Sequence, residues 1–385
     1  MNYRQQSDTL ILPVVIIAIL YTIFLSLLFV KHDHDFSALV MAGDLFVDAN
    51  AAPPNLSIIT NSAGYDGQFY YRLALTPFTD QQTDWGITID APAYRQQRIV
   101  YPLLGRLLSL GNPVLLPVSL VIVNFLALCT LAWLGGKYVQ AIPLHAIWGV
   151  SFALFPGFLL TLSRDTTEIV EIAFLFAAIL ALCQKRQFLG GILLILAVLT
   201  KETALIMSFG LLLESLFIRH RRKFQELWFP IIMPIVAYFL WQTWLKSIWD
   251  NASVTGTITG INFGLPLVGL SHFIHSLLPP PGHLQQVWLL ELFCMALFIL
   301  AVTYVFLQSA ARQFIKASWL LFVALMFLLT QAVWVEDWAF LRVFSETYLF
   351  GMLILLEAQS TLKKWFLGVV TFSWILLAIE VLKMR

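Results

Sequence analysis

Long, uninterrupted runs of apolar residues constrain this chain more than any other feature of its sequence. The first run extends from Leu10 to Val30, which is about the length that an α-helix needs to cross a hydrocarbon layer of about 30 Å. Similar runs recur along the chain and lack the alternating pattern of a membrane β-barrel. Hydrophobic residues make up 59% of the chain and charged residues 12%, whereas about a quarter of a soluble domain is charged. The sequence therefore predicts a polytopic α-helical membrane protein.

The apolar runs predict an all-α membrane helical bundle of about eleven transmembrane helices, folded as a single domain over residues 1–385. Residues 10–30 form the first span, residues 31–112 form a long loop with interfacial helices, and residues 113–385 hold the remaining spans. The later runs are Pro113–Leu134, Ile142–Leu162, Thr166–Leu182, Phe188–Leu199, Thr203–Ile218, Leu227–Trp244, Val287–Leu307, Ala317–Val333, Phe340–Leu356 and Leu367–Val381. The first run lacks a small-residue cleavage site, which favours an uncleaved span over a signal peptide.

The distribution of Lys and Arg indicates the orientation of the chain, because cytoplasmic loops of membrane proteins are rich in these residues. With a cytoplasmic N-terminus, the inside loops hold clusters such as Arg219–Lys223 and Lys363–Lys364, and the opposite short loops hold single cations. The C-terminal Lys383 then lies outside, against this trend. We therefore predict a cytoplasmic N-terminus and an external loop at residues 31–112.

The densest polar motif of the chain lies in this long loop, at residues 64–72. Its central residue, Asp66, stands between two glycines and just before a predicted short helix, Gln68–Leu75. Two interpretations of Asp66 fit this pattern. It is an N-cap whose carboxylate accepts hydrogen bonds from the first amides of the helix, or it is a general base presented at the membrane surface.

Two arginines follow in the same loop. Arg95 and Arg98 are three residues apart, and the chain then continues as an apolar, interfacial helix through Leu110. Guanidinium groups bind phosphate oxygens in a bidentate fork, so the pair is suited to a phosphate at the depth of the lipid headgroups. The alternative is a general attraction to anionic headgroups.

Two turns between apolar runs are too short to be ordinary loops. The short run Phe188–Leu199 is followed at once by Lys201 and Glu202 and then by another apolar run, so these charges should lie below the membrane surface. A turn of the same character contains Arg164, Asp165 and Glu168. Such charges face a water-filled cavity, or they form ion pairs that close helical hairpins. We expect Lys201 to line the same cavity as Asp66.

Together these motifs resemble bacterial membrane glycosyltransferases of the GT-C type and, more distantly, the GPI-type mannosyltransferases. The resemblance rests on the motifs Tyr65–Tyr71, Pro92–Leu104, Arg164–Glu168 and Thr200–Thr203. It covers about residues 60–205 by motif and the rest of the chain by hydropathy alone. In that superfamily a sugar moves from a polyprenyl phosphate to an acceptor on the non-cytoplasmic face, and an aspartate of the first loop is usually taken as the base.

The resemblance implies an inverting, hexosyl- or mannosyltransferase-like enzyme of the bacterial inner membrane, with Asp66 as its general base. Many members carry an adjacent acidic pair that this loop lacks, so Asp66 acts alone or with Asp44 or Asp48. The cations expected to bind the donor phosphate are Arg95, Arg98, Lys201, Arg342 and Arg164. The supporting polar residues are Tyr65, Gln68, Tyr94, Asp44, Asp165, Glu168 and Glu202. For Arg342 an ion pair with Glu336 or Asp337 is an equal alternative.

The expected partners are the lipid bilayer, a polyprenyl-phosphate sugar donor and an extracytoplasmic glycan, lipid or protein acceptor. Lys and Arg number 23 and Asp and Glu 22, so no net charge attracts nucleic acid. The residues predict no metal site and require no cofactor, although a role for a divalent cation stays open. The main alternative function is a transporter or flippase for a lipid-linked sugar, which would share the helices and the buried charges. The crowding of polar residues toward one face, without an internal repeat, favours the enzyme.

Overall fold

The computed structural model describes residues 3–217, 221–249, 262–276, 282–335 and 339–383. It is a bundle of α-helices joined by short turns and by one long loop. The helices are α1 (Tyr3–Lys31), α2 (Gly67–Leu75), α3 (Pro92–Gln96), α4 (Val100–Ser109), α5 (Leu116–Ala141), α6 (Gly157–Ser163), α7 (Glu168–Cys183), α8 (Gln187–Thr200), α9 (Leu205–Phe217), α10 (Arg221–Ile248), α11 (Val268–Ser276), α12 (His283–Val305), α13 (Gln313–Phe327), α14 (Gln331–Val335), α15 (Ala339–Val343), α16 (Ser345–Leu356) and α17 (Leu362–Lys383).

The remaining regular elements are short, and most of them lie in the long loop. Strands β1 (Ala42–Gly43) and β2 (Ile58–Ile59) pair in parallel, and strands β3 (Thr83–Asp84) and β4 (Ile87–Thr88) pair antiparallel. The 3₁₀ helices cover Phe36–Val40, Ala146–Phe152 and Glu202–Ala204. The predicted helical class is thus confirmed, and the predicted helix at Gln68–Leu75 is present as α2.

Several helices have the length and composition of membrane spans. Five of them in the described part of the chain pass this test, namely Leu10–Lys31, Leu116–Ala141, Leu227–Ile248, His283–Val305 and Leu362–Lys383. A sixth span results if Ala146–Phe152 and α6, which bend by 63° at their junction, are counted together. The other predicted runs form shorter helices. For example, α8 has 14 residues, or about 21 Å of helix, which is less than the hydrocarbon thickness.

The break in the predicted run Ile142–Leu162 has a local cause. Pro156 stands immediately before α6 with φ −58°. A proline has no backbone N–H group and cannot continue a helix that comes from its N-terminal side, but it fits at the start of a new helix. The chain therefore ends one helical segment at Phe152 and begins another at Gly157.

Side-chain contacts show that the helices end at two opposite ends of the bundle. Lys31, the last residue of α1, donates a hydrogen bond to the carbonyl of Val381 in α17 at 2.8 Å. We call this the loop end, because the long loop follows α1 there. At the opposite end, Arg312 donates to the carbonyl of Leu182, near the end of α7, at 3.0 Å. Lys383, the last residue of α17, therefore belongs to the loop end, as the sequence-based orientation requires.

One large core joins the helices, and apolar side chains also cover the outside of the bundle. The Tyr21 hydroxyl of α1 donates to the carbonyl of Ala153 at 2.7 Å and accepts a hydrogen bond from the Trp374 indole of α17 at 3.0 Å. Ala153 lies at the bend between Ala146–Phe152 and α6, so these hydrogen bonds connect α1, the bend and α17. On the outer face of α1, Ile19 and Ile23 are each 54% exposed. Exposed apolar surface of this kind is typical of a helix that faces lipid.

The long loop packs on the ends of the helices. Tyr70 and Tyr71 of α2 belong to a buried cluster that includes Leu120 of α5. Gly67, the first residue of α2, approaches the turn after α6 so closely that an added Cβ would lie 2.4 Å from the carbonyl oxygen of Arg164. Only glycine fits at such a contact. This close approach places Asp66 beside the charged turn between α6 and α7.

Candidate functional site

A polar cavity of about 400 Å³ opens at the loop end of the bundle. We call it the loop-end cavity. Its charged lining residues come from the long loop, from the two short turns and from α15, and they are Asp66, Asp90, Arg95, Arg98, Glu168, Lys201, Glu202 and Arg342. One side of the cavity is apolar and includes Phe263, Leu325, Leu329 and Val333. The cavity therefore combines a charged half with a hydrophobic wall.

Asp66 does not cap the helix that it precedes. Its backbone already has helical angles, φ −54° and ψ −31°, and its side chain makes no capping hydrogen bond. An N-cap residue normally has extended angles, which turn its side chain toward the first free amides. Instead, Asp66 Oδ1 accepts a hydrogen bond from Arg95 Nη1 at 2.6 Å, and Oδ2 accepts from Arg342 at 3.4 Å. The N-cap interpretation is wrong, and the carboxylate faces the cavity.

The surroundings of Asp66 determine its protonation state. Burial raises the pKa of Asp66, but the positive charge of Arg95, followed by those of Arg342 and Arg98, outweighs burial and lowers the pKa to about 2. A nearby opposite charge stabilises the ionised form of a carboxyl group. Asp66 is therefore a carboxylate at neutral pH, and it is a weak base as long as both arginines contact it.

Arg95 is held by three groups at once. Its Nε and Nη2 atoms donate to the two carboxylate oxygens of Asp90 at 2.9 and 2.8 Å, while Nη1 contacts Asp66. Its guanidinium group also lies over the ring of Phe69, at 4.6 Å from the ring centroid. A bidentate fork and a stacked ring together fix the plane of an arginine.

Arg98 links the long loop to the turn between α8 and α9. Its Nε and Nη2 atoms donate to the carboxylate of Glu202 at 3.0 and 2.7 Å. The same guanidinium group donates to the hydroxyls of Tyr94 and Tyr70 at 3.0 and 3.2 Å. The predicted residues Tyr94 and Glu202 thus lie at the cavity, and they reach it through this contact with Arg98.

Lys201 lines the same cavity as Asp66, as the sequence predicts. Its ammonium group donates to Glu346 Oε1 at 2.9 Å and lies 3.6 Å from Glu171. Thr203 donates to the same Glu346 oxygen at 2.6 Å. Lys201 is therefore paired with carboxylates, and both predicted alternatives, the cavity position and the ion pair, hold at once.

Arg342 connects two carboxylates of the loop-end cavity. It donates to Asp66 Oδ2 and to Glu168 Oε1, both at 3.4 Å. Its guanidinium group lies 4.8 Å from the centroid of the Tyr65 ring. The alternative partners predicted for Arg342, Glu336 and Asp337, lie outside the described residues.

Five of the predicted site residues do not line the loop-end cavity, namely Asp44, Tyr65, Gln68, Arg164 and Asp165. Arg164 lies over the Tyr65 ring, 5.3 Å from its centroid. Asp44 accepts hydrogen bonds from the backbone amides of residues 61 and 62 at 2.8 and 3.0 Å, and so it shapes the loop. Gln68 also holds the loop, because it accepts from the Gly43 amide at 3.1 Å. Asp165 is buried in a turn at φ 47°.

The structure adds lining residues that the motifs did not reveal. Tyr238 of α10 lines the cavity, and its hydroxyl donates to Gln97 Oε1 at 3.2 Å. Glu346 of α16 does not line the cavity itself but accepts hydrogen bonds from two residues that do, Lys201 and Thr203. A lone carboxylate within the apolar run Phe340–Leu356 was the signal that could have identified Glu346, because charges inside membrane segments are usually functional. Asn262 also lines the cavity and belongs to none of the motifs identified in the sequence.

No protein-family model, no curated protein and no solved structure matches this chain. The chemistry of the loop-end cavity must therefore be derived from its own residues. Within the described ranges, no group of three or more His, Cys, Asp or Glu side chains is arranged to hold a metal ion.

The arrangement suits an amphiphilic ligand with an anionic head. Arg95 and Arg342 present guanidinium groups beside an ionised Asp66, and Leu325 and Leu329 form part of the apolar wall. Guanidinium groups bind phosphate more tightly when water is excluded, and an apolar wall excludes water. Asp66 adds a group that accepts a proton once its arginines are engaged elsewhere.

Proposed function

We propose that this protein is a GT-C type integral membrane glycosyltransferase. It moves a sugar from a polyprenyl-phosphate-linked donor to an acceptor at the outer face of a bacterial inner membrane. The observation that carries the proposal is the loop-end cavity, where Asp66 and two arginines lie beside an apolar wall. A lipid-linked sugar phosphate has the same division between a charged head and an apolar chain.

The transfer step uses one carboxylate and the neighbouring cations. An acceptor hydroxyl attacks the anomeric carbon of the sugar, the bond between that carbon and the phosphate oxygen breaks, and the hydroxyl proton passes to Asp66. The polyprenyl phosphate leaves with the electron pair of the broken bond. Arg95 and Arg342 stabilise the charge that develops on the leaving phosphate. Attack on the face opposite the leaving group inverts the anomeric configuration.

The ion pairs of the site suggest the order of events. Arg95 and Arg342 contact Asp66 in the present structure, so the phosphate of the donor and the carboxylate of Asp66 compete for the same guanidinium groups. A donor phosphate that takes over these contacts lowers the positive charge felt by Asp66 and raises its pKa. Asp66 then becomes a better base when the donor is bound. In the empty site its low pKa keeps it from taking a proton from an acceptor hydroxyl.

The same proposal extends to the membrane topology. The short helix α16 has 12 residues, yet it begins next to Arg342 at the loop end, and it ends next to Glu357, which bonds Tyr138 at the opposite end. Short helices therefore also connect the two ends, which supports about eleven crossings. We place the N-terminus in the cytoplasm and the loop end outside, according to the Lys and Arg of the loops.

One observation favours a second candidate, a flippase for a lipid-linked sugar. The bend of 63° between Ala146–Phe152 and α6 is a broken helix, and transporters often build their binding sites from broken helices. A flippase would move the donor across the membrane unchanged, whereas the transferase consumes it.

The decisive experiment compares the wild type with Asp66→Asn in an assay with radiolabelled polyprenyl-phosphate sugars. Loss of a general base typically costs about 10²–10⁴-fold in rate, and asparagine keeps the shape of the side chain. We expect transfer to fall by that range when it is measured per folded protein, and we expect some loss of thermal stability in detergent because the amide no longer balances the charges of Arg95 and Arg342.

Asp44→Asn is the matched control, because the hydrogen bonds that Asp44 accepts within the described residues come from backbone amides of the loop, and Asp44 does not line the cavity. It should retain transfer. Full transfer by Asp66→Asn would remove Asp66 from the mechanism. A wild type that binds and translocates the donor in vesicles without consuming it would establish the flippase instead.

A further inference from the structure

A second cavity, of about 40 Å³, lies on the flank of the bundle between α12, α16 and α17. Glu291 of α12 lines it and is only 2% exposed. Both of its carboxylate oxygens are buried without a hydrogen-bond partner among the described residues. α12 begins at His283, and Glu291 lies about 12 Å further along this helix, within its apolar part. An unpaired carboxyl group inside an apolar segment is costly, and such groups usually mark a binding site.

Aromatic rings form the walls around this carboxyl group. Tyr348 stacks on Phe155 and on Phe298, with centroid distances of 4.7 and 5.2 Å. The Tyr348 hydroxyl donates to the carbonyl of Ser151 at 2.7 Å, so it is engaged away from Glu291. The faces of aromatic rings attract cations. No Lys, Arg or His side chain is among the residues that line the cavity within the described chain.

This flank cavity is separate from the loop-end cavity, although α15 borders both. Leu341 and Phe344 line the flank cavity, whereas Arg342 and Val343 line the loop-end cavity. The two linings share no residue. A ligand in the flank cavity therefore lies outside the site of the proposed glycosyl transfer.

We propose that the flank cavity binds a primary ammonium group carried by an amphiphile, with Glu291 as its counter-ion. The attraction between opposite charges is strong where water is excluded, and the aromatic rings of the lining keep water out. Cys294 and Val369 are only partly buried at the edge of the cavity. The alkyl chain of the amphiphile leaves the cavity between α12 and α17 and lies in the bilayer.

The two unpaired oxygens of Glu291 set the selectivity. A primary ammonium group has three N–H donors and can donate a hydrogen bond to each oxygen. A trimethylammonium group carries the same charge but has no N–H group to donate, so it leaves both oxygens unpaired.

The test labels Glu291 with dicyclohexylcarbodiimide, a lipophilic reagent that adds to a protonated carboxyl group without loss of atoms. The full-length protein in dodecyl maltoside is labelled with and without dodecylamine, and mass spectrometry of the peptide that contains residue 291 measures the total reaction. This total is the dicyclohexylurea adduct plus the amide that forms when the amine displaces dicyclohexylurea from the activated carboxyl group, so that trapping by the amine is not counted as protection. Dodecylamine at ten times its dissociation constant leaves roughly one-tenth of the sites free, so labelling should fall about tenfold. Dodecyltrimethylammonium at the same concentration should leave labelling unchanged. Equal protection by both amines, or by neither, overturns the proposal.

A variant gives a second measurement. Dodecylamine should raise Tm of the wild type and of Glu380→Gln, whose carboxyl group lies at the end of α17 and bonds His283 at 3.1 Å. It should leave Tm of Glu291→Gln unchanged, and an equal rise in Glu291→Gln would contradict the proposal. If Glu291→Gln does not fold, the comparison of the two amines on the wild type decides alone. Protection in nanodiscs of phosphatidylethanolamine, but not of phosphatidylcholine, would identify a membrane lipid as the source of the ammonium group.

Discussion

At the two ends of the bundle, charged side chains are bonded in different ways. At the opposite end, Glu214 accepts a hydrogen bond from the backbone amide of Phe314 at 2.7 Å, and Arg312 donates to the backbone carbonyl of Leu182 at 3.0 Å as well as to Glu214 at 3.3 Å. Both charges of this pair are thus also bonded to the backbone. At the loop end, Asp66 and Arg95 bond to each other at 2.6 Å beside an open cavity. A charge that bonds to backbone satisfies the end of a helix. Charges that bond to one another around an open space can exchange their partners for those of a ligand.

The comparison also concerns free energy. Bringing two buried charges together offsets the loss of their hydration only when their geometry is good, and hydrophobic residues of the same volume often give equal stability. The pairs of the loop-end cavity, such as Arg98 with Glu202, are therefore poorly explained by stability alone. Their retention is consistent with a binding role, whereas the contacts of Glu214 and Arg312 satisfy backbone groups that would otherwise be unpaired.

The largest expected difference between the two ends is in the rate of transfer, and it is measured by replacing one arginine at each end. In the proposed transfer, Arg342→Gln loses a charge that stabilises the leaving phosphate, and the loss of one such electrostatic contact typically costs about 10²–10³-fold in rate. Arg312→Gln should retain transfer, because it lies at the opposite end, but it should lower the stability by about 1–3 kcal/mol through its contacts with Leu182 and Glu214. Transfer rates and Tm in detergent measure both effects.

Arg342→Lys provides the matched control for charge. Lysine keeps the positive charge but cannot make the planar fork of a guanidinium group, so its rate should lie between those of the wild type and Arg342→Gln. A loss of transfer in Arg312→Gln as large as that in Arg342→Gln would show that the two ends do not differ in function.

The residues of the loop-end cavity that could be predicted are those in dense local motifs. Asp66, Arg95 and Arg98 stand in polar stretches of an otherwise apolar chain, and Lys201 follows a run too short to span the membrane. Their partners could not be predicted in the same way. Arg98 meets Glu202, 104 residues later, and nothing in the local sequence of either residue indicates which of several charges it will contact.

The sequence predicts where most of the helices lie, but it overestimates how many of them are long enough to span a membrane. Hydropathy finds apolar runs, and most of the runs contain a helix in the structure. It does not find where a helix breaks. Within the predicted run Ala317–Val333, one helix ends at Phe327 and another begins at Gln331. Tertiary packing of this kind overrides the local pattern, so the count of long spans is lower than the count of runs.

A second prediction concerns the competition for Arg95 and Arg342. Asp66→Asn removes the anion that now contacts both guanidinium groups, so these groups become available to a phosphate. Dodecyl phosphate should therefore bind Asp66→Asn about tenfold more tightly than it binds the wild type, since hydrogen bonds to charged groups contribute about 1.5–3 kcal/mol. Isothermal titration of the purified proteins in dodecyl maltoside measures the two dissociation constants.

This result would separate a base from a merely structural carboxylate. A structural Asp66 would hold the arginines in place, and its replacement would weaken the binding of phosphate. Asp44→Asn should bind dodecyl phosphate as the wild type does, because Asp44 bonds loop amides at 2.8 and 3.0 Å and does not line the cavity. Weaker binding by Asp66→Asn would contradict the competition between donor and carboxylate.

The smallest expected effect is a change in the titration of Asp66. Arg95 is the cation that lowers the pKa of Asp66 most, and the pKa now lies at about 2, below its ordinary value of 3.8. Arg95→Gln removes that charge, so the protonated form is less disfavoured and the pKa of Asp66 rises from about 2, although Arg342 still favours the ionised form. Infrared spectroscopy detects the change as a carbonyl band of the protonated carboxyl group.

The band is assigned to Asp66 by its absence from Asp66→Asn and from the double variant Arg95→Gln/Asp66→Asn. Because the folded-state pKa is depressed, ionised Asp66 contributes stability above its ordinary pKa, and this stability is lost as the pH falls through about 2. In Arg95→Gln the contribution should be smaller and should be lost at a higher pH. A carbonyl band that appears at the same pH in both proteins would show that Arg95 does not control Asp66, and the loop-end cavity would then resemble the opposite end, where charges bond mainly to backbone.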